Sequence, residues 1–321
     1  MKTFGRLLAV GLLLAGAARA EVPDVAVDIP PVHALTARVM QGLGEPALVM
    51  RPGASPHGYA MRPSEAAALE RAEVIFFVSG QLTRWFERAL EPLAARAVTV
   101  ELLESPGTVR HAFREDALFS RPGGADEDDE HGHGHGNGDE NHGGDHTQPG
   151  PDPHGWLDPE NGKLWLAHIA ETLAGVDPDN AAIYRTNAAA GQVEIDAAVA
   201  RARALLEPVK TQPFFVHHDA YQYFERRFDL RTAGAVARSD AAQPGPRRVA
   251  DLRAAVSGTG TVCIFSEPQF NPGLLATVFE GHALRKAALD PLGTSLPQGP
   301  GLYPALIETL ATDIAACLGG D

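Results

Sequence analysis

Residues 73–80 read EVIFFVSG, five apolar side chains in a row from Val74 to Val78, closed by Ser79-Gly80. A strand with one wet face alternates apolar and polar residues. An unbroken apolar run of this length suits a strand covered on both faces, which is the habit of parallel sheets. The flanks agree with that reading. Pro63–Arg71, introduced by Arg62-Pro63-Ser64 and rich in Ala, Glu and Leu, predicts a helix. Leu82–Leu90 predicts another helix and Val98–Leu103 another strand. Upstream, VPDVAVDIP (22–30) and Ala47–Val49 predict strands, and His33–Met40 predicts a helix start. Strands alternating with helices place the chain in the α/β class, with ligand sites expected at the carboxyl ends of the strands.

Further along, Asp177-Pro178 has the form of an N-cap followed by proline at the first helical position. From there to Leu206 only Gly191 interrupts an Ala-, Glu- and Arg-rich run. About thirty helical residues span about 45 Å, so this segment predicts a rigid strut. Beyond Pro208 the alternation resumes through Phe214–Val216, Tyr221–Phe228, Val249–Val256 and Val262–Phe265, and a final helix runs from about Tyr303 to Cys317. The expected architecture is two parallel-sheet α/β lobes joined by one long helix: lobe 21–176, linking helix 177–208 and lobe 209–321. The two halves show no repeat in their sequences.

Residues 1–20 carry Lys2 and Arg6 ahead of the apolar run Leu7–Ala15, and they end in Ala18-Arg19-Ala20. This pattern predicts an export signal cut before Glu21, with an apolar run too short to span a bilayer. The mature chain is expected in a periplasm, soluble and monomeric, without direct membrane insertion. Removing Lys2, Arg6 and Arg19 takes the formal charge from −14 to −17. That balance argues against nucleic acid and anionic membrane as partners. In an oxidising compartment, Cys263 and Cys317 read as a disulfide closing a loop of 53 intervening residues. The alternatives are two buried thiols or, less simply, a pair of zinc thiolates.

Between Pro122 and Pro149 there is no Lys or Arg, but there are eight carboxylates and five histidines: His131, His133, His135, His142 and His146. With no apolar residue larger than Ala, segment 122–149 predicts a disordered His/Asp-rich loop. Imidazole suits zinc, copper and nickel, so the loop reads as an auxiliary metal trap, against the plainer reading of a solvated acidic linker.

Three further histidines sit in loops or at strand ends, flanked by Pro, Gly or Asp: His57 in GASPHGY, His154 in DPHGWLDP, and one of the pair His217-His218 in FFVHHDAYQYF. Taken singly, each is an ordinary hydrogen-bonded histidine. Together, beside a metal-trapping loop, they predict a metal site. Asp152 and Asp219 are expected to accept the second ring N–H of His154 and His218, as carboxylates commonly do behind metal-bound imidazoles. His33, His111, His168 and His282 read as structural. The Gly-rich stretch 292–301 lacks the Lys-Ser/Thr of a phosphate loop, and no H-E-x-x-H helix is present.

The segments GASPHGYAMRPSEAAALERAEVIFFVSG, DPHGWLDP, HHDAYQYFERRF, CIFSEPQFNPGLL and LDPLG together resemble the zinc-binding proteins of periplasmic ABC importers, the ZnuA type, from His33 to Cys317. The resemblance implies one Zn²⁺ in the cleft between two α/β lobes, and delivery of that zinc to a membrane permease. By motif it implies His57, His154 and His218 as ligands, with Asp290 as a fourth and a disulfide between Cys263 and Cys317. Pro56 stands where some relatives carry a ligating Glu, so water is the other candidate for the fourth corner. Glu267 reads as a structural or outer-shell carboxylate. Relatives that carry manganese or iron have Glu where His218 stands, so His218 points to zinc. Two other readings are a zinc hydrolase and a stand-alone periplasmic metal buffer.

Overall fold

The computed structural model describes residues 22–114, 118–119, 150–237, 244–271 and 273–320. The expected export signal and the histidines of the loop, His131, His133, His135, His142 and His146, lie outside the described residues.

Two four-stranded, all-parallel sheets make up the framework. The first contains β1 (Val25–Val27), β2 (Ala47–Leu48), β3 (Val74–Phe77) and β4 (Val98–Glu101) in the order β2-β1-β3-β4. The second contains β5 (Phe214–His218), β6 (Thr232–Ala237), β7 (Cys263–Ser266) and β8 (Arg285–Ala288) in the order β6-β5-β7-β8. The nine helices among the described residues are α1 (Pro30–Val39), α2 (Pro63–Arg71), α3 (Arg84–Leu93), α4 (Pro159–Val176), α5 (Ala181–Leu206), α6 (Gln222–Phe228), α7 (Pro246–Thr259), α8 (Gly273–Val278) and α9 (Leu302–Gly319).

The EVIFFV run behaves as its composition demands. Val74, Phe76 and Val78 enter the large central core, while Ile75 and Phe77 enter a second core with Leu69 and Phe86 on the outer face. The second sheet repeats the arrangement: Phe214 and Val216 face the centre, and Phe215 packs outward with Leu252 and Ile264. The central core is common to both lobes. It runs from Val25 and Phe76 through Tyr184, Ile195 and Ala202 of α5 to Leu306 and Ile314 of α9. Gly191 lets α5 seat closely, because a Cβ there would stand 2.9 Å from Leu166 Cδ1 and 3.0 Å from Arg38 Cγ.

Helix α8 was not expected from the sequence, and three further elements differ from expectation. Helix α1 begins at Pro30, ahead of His33, because Pro30 and Pro31 occupy first-turn positions whose N–H groups need no helical partner. The segment TAGAVA forms β6, although Ala and Gly give little strand signal. RKAA forms β8 at a sheet edge, where its charged residues face water.

Cys263 at the start of β7 and Cys317 near the end of α9 are joined in a disulfide, with Cα atoms 6.2 Å apart. Helix α9 is long and apolar enough by composition to cross a membrane, and half of it is buried. Leu306, Ile307, Leu310 and Ile314 lie in the central core, so its apolar face is already used within the molecule.

Candidate metal centre

Each of the three expected histidines is delivered to the cleft by a different local device. His57 lies in the loop after β2, held from below. Trp85 Nε1 donates to the Pro56 carbonyl at 2.7 Å, and Tyr59 packs on Trp85 with ring centres 4.8 Å apart. Tyr59 in turn donates to Glu65 Oε1 at 2.7 Å, tying the loop to α2. His154 lies just before a 3-10 turn (Gly155–Leu157), and Asp158 then caps α4 by accepting from Glu160 N at 3.0 Å. His218 is the last residue of β5 and therefore stands at a carboxyl end, as expected for a parallel sheet.

The three imidazoles converge. One ring nitrogen from each lies within 4.8 Å of the others. Nε2 of His154 is 3.3 Å from Nε2 of His57 and 3.4 Å from Nε2 of His218. A tetrahedral zinc with metal–nitrogen distances of about 2.0–2.1 Å sets its ligand atoms about 3.3–3.4 Å apart, the edge of the tetrahedron. The spacing thus matches the span of two imidazoles on one such ion.

The ring orientations carry the same message. His154 donates Nδ1–H to Asp152 Oδ1 at 2.7 Å, and His218 donates Nδ1–H to Glu267 Oε1 at 2.7 Å. Both acceptors are buried. With both carboxylates ionised, as a bound cation favours, they only accept, so each Nδ1 carries the proton and each Nε2 keeps its lone pair. Lone pairs from two lobes then point toward one region, an arrangement a cation stabilises.

Burial opposes charge on the ion-free groups. It pushes the Asp152 carboxyl up to about 7, against the lowering effect of the His154 backbone N–H. Burial, with His218 adding repulsion, holds the His154 imidazole well below its ordinary range. His154 is therefore neutral and ready to ligate at neutral pH. A bound divalent cation reverses the bias on Asp152 and favours its carboxylate.

Not every expected residue takes its expected place. Asp219 does not support His218: its carboxylate faces Arg114 instead, with Arg114 Nε 3.0 Å from Oδ2. Neighbouring positions at the end of a strand project in different directions, so adjacency in sequence did not mean contact. Glu267 takes that role. Asp290 lies just beyond β8 but outside the group of converging ligand atoms. Its oxygens accept from Leu292 N at 3.1 Å, Gln269 Nε2 at 3.1 Å, and both Thr294 N and Thr294 Oγ1 at 2.6 Å.

His217 stacks on Phe270, ring centres 4.5 Å apart, and burial lowers its imidazole to about 4. Trp156 packs beside His154 and donates to the Pro291 carbonyl at 2.8 Å. His33, His168 and His282 each bond a backbone carbonyl, those of Pro46, Pro106 and Glu280. His111 packs on Tyr223. Pro56, Gln269, Phe270 and Leu292 complete the lining around the three ligand candidates.

The zinc-uptake complex component A family, described as periplasmic, matches residues 25–317. A high-affinity zinc uptake system protein of Paracoccus denitrificans is 42% identical over 307 residues, covering 95% of this chain and 94% of that protein. Its counterpart in Brucella abortus is 39% identical over 332 residues, covering 99% of each. Among solved structures, the periplasmic zinc-binding protein TroA of Treponema pallidum superposes with a TM-score of 0.73 at 18% identity, covering 92% of this chain and 99% of that one. A Zn(II)-bound variant of AdcAII from Streptococcus pneumoniae gives 0.72 at 22% identity, covering 94% and 100%. With its fold, its converging imidazoles and a family match over nearly all of its length, the chain belongs to the zinc-uptake complex component A family.

Proposed function

We propose that this protein captures Zn²⁺ in the periplasm and passes it to the permease of an ABC importer, acting as a monomer. The observation that carries the reading is the convergence of His57, His154 and His218, with Nε2 separations of 3.3 and 3.4 Å that fit one tetrahedral ion. Three neutral imidazoles suit zinc, and membership in a family of uptake components sets the hydrolase reading aside. In this reading the N-terminal lobe (21–176) supplies His57 and His154, the lobe 209–321 supplies His218, and helix 177–208 joins them. The fourth corner goes to water, since Asp290 is committed to its own turn; a shift of that turn would offer the carboxylate instead. His131, His133, His135, His142 and His146 act as weak auxiliary sites that raise the local zinc concentration.

Because zinc competes with protons for the imidazoles, affinity falls at acid pH. Titration calorimetry of the metal-free protein with Zn²⁺ and Mn²⁺, on wild type and His218→Ala, tests the assignment. We expect a tight zinc step in wild type, a much weaker manganese response, and loss of the tight step in the variant. A variant that binds zinc as tightly as wild type refutes it. Deleting residues 124–147 is expected to lower the stoichiometry and leave the tight step in place.

A further inference from the structure

The two best-supported imidazoles, His154 and His218, come from opposite lobes. Their spacing therefore depends on whatever fixes one lobe's arm against the other. The segment His111–Arg114 makes that connection. On one side, Asp152 N donates to the His111 carbonyl at 2.7 Å, and Ala112 forms an antiparallel bridge with Pro151. Asp152 is the residue that orients His154.

On the other side, Arg114 reaches across to the second lobe and grips two buried carboxylates. Its Nε lies 3.1 and 3.0 Å from the Asp219 oxygens, and its terminal nitrogens lie 2.7 and 3.1 Å from those of Glu225. A further Arg114 Nη2–Asp219 Oδ1 bond completes the fork. Phe119 lies under the guanidinium, 3.5 Å from its carbon to the ring centre. Phe119 itself is pinned, since its N–H donates to the Ala233 carbonyl in β6 at 3.0 Å.

Asp219 directly follows His218, and Ala220 N closes a turn onto the His218 carbonyl at 2.9 Å. A closed circuit results: His154, Asp152, the 111–114 segment, Arg114, Asp219, His218. We propose that Arg114 is a positioning residue that sets the separation of the His154 and His218 imidazoles and thereby tunes zinc affinity. This rests on the reading of those histidines as ligands. The planar fork directs three nitrogens at the two carboxylates in fixed geometry, which the compact ammonium of a lysine does not reproduce.

The alternative role is purely structural, namely neutralising Asp219 and Glu225, which would be costly if left unpaired in the interior. Zinc affinity, the visible absorption spectrum of the Co²⁺-loaded protein, and the melting temperature of the metal-free protein separate the two roles. They would be measured on wild type, Arg114→Lys, Arg114→Met, and a triple variant carrying Arg114→Met, Asp219→Asn and Glu225→Gln. We expect Arg114→Met and Arg114→Lys to weaken zinc binding by about 10- to 100-fold, the range found for residues that orient metal ligands, with an altered cobalt spectrum. The triple variant removes the unpaired charges, and it is expected to recover melting temperature but not zinc affinity. Recovery of both, or wild-type affinity and spectrum in Arg114→Met, overturns the proposal. His218→Ala, run in parallel, keeps the two claims apart: if it alone loses zinc, the ligand reading stands and the clamp falls.

Discussion

Strand β1 holds in the order β2-β1-β3-β4 the place that β5 holds in β6-β5-β7-β8, yet Asp28 follows the one and His218 ends the other. Both residues stand at the carboxyl end of the second strand in order, and both are buried. Asp28 is turned inward as a brace, accepting from Ile29 N at 2.8 Å and Val78 N at 2.9 Å. His218 is turned toward the cleft, with Glu267 behind it. By register Asp28 stands level with His217, and His218 with Ile29, so the face of the strand as well as the side chain placed there decides whether a carboxyl end braces a lobe or meets a ligand. The fold supplies the address and the residue supplies the chemistry.

Truncating each residue in turn should separate brace from ligand. His218→Ala is expected to lose tight zinc binding by calorimetry while folding normally. Asp28→Ala should bind zinc nearly as wild type but lose roughly 1–3 kcal/mol of stability in urea, because two buried N–H groups lose their acceptor. If Asp28→Ala also loses zinc, the division between brace and ligand fails.

A smaller effect is expected one layer out, where Asp152→Asn and Glu267→Gln each weaken zinc binding by about 10- to 100-fold. The two should be similar, since each carboxylate accepts one ring N–H at 2.7 Å. A large inequality would mean that the arms contribute unequally.

Smaller again for the site is the disulfide, which lies on the second lobe away from the histidines. Replacing Cys263 and Cys317 by Ser should cost about 2–5 kcal/mol of stability and leave zinc affinity within a few-fold.

The effect most remote from zinc binding is a pH dependence of stability. Burial pushes the Asp28 carboxyl up to about 7 from an ordinary 3.8. Between those values the folded state binds more protons at this group than the unfolded state does. Its contribution is therefore complete below about pH 4 and is lost as pH rises through about 7. His154, held low, acts in the opposite sense and weakens the fold as pH falls below its ordinary value. Only the difference between wild type and Asp28→Asn, in urea melts of the metal-free protein from pH 4 to 8, isolates Asp28. A difference that stays flat over that range removes it as a titrating brace.

Much of this was legible in the sequence, for reasons that vary by residue. EVIFFV announced a doubly buried strand because both of its faces are apolar. His57, His154 and His218 stood out because turn residues and strand ends surround them. Helix α5 showed itself by the near absence of breakers over Ala181–Leu206. Strands β6 and β8 were hidden: one is made of Ala and Gly packed in the interior, the other of an edge with charged residues. Glu267 was visible only as a carboxylate near the site, because its partner His218 is 49 positions away. Asp219 misled for the converse reason, being next in sequence but turned to Arg114. The correspondence between the sheets left no trace in the residues, since it resides in strand order alone.

The shared core through α5 has a mechanical consequence. Tyr184, Ile195 and Ala202 on that helix are packed with residues of both lobes, so parting the lobes like a clamshell would tear a single apolar interior. Cargo must then leave by a small rearrangement of the side chains and turns that grip it, or by the importer prying at those turns. Small-angle scattering should accordingly give nearly the same radius of gyration with and without zinc. For the same reason neither half, expressed alone, would keep its flank of α5 dry, and the chain should melt as one unit rather than in two steps.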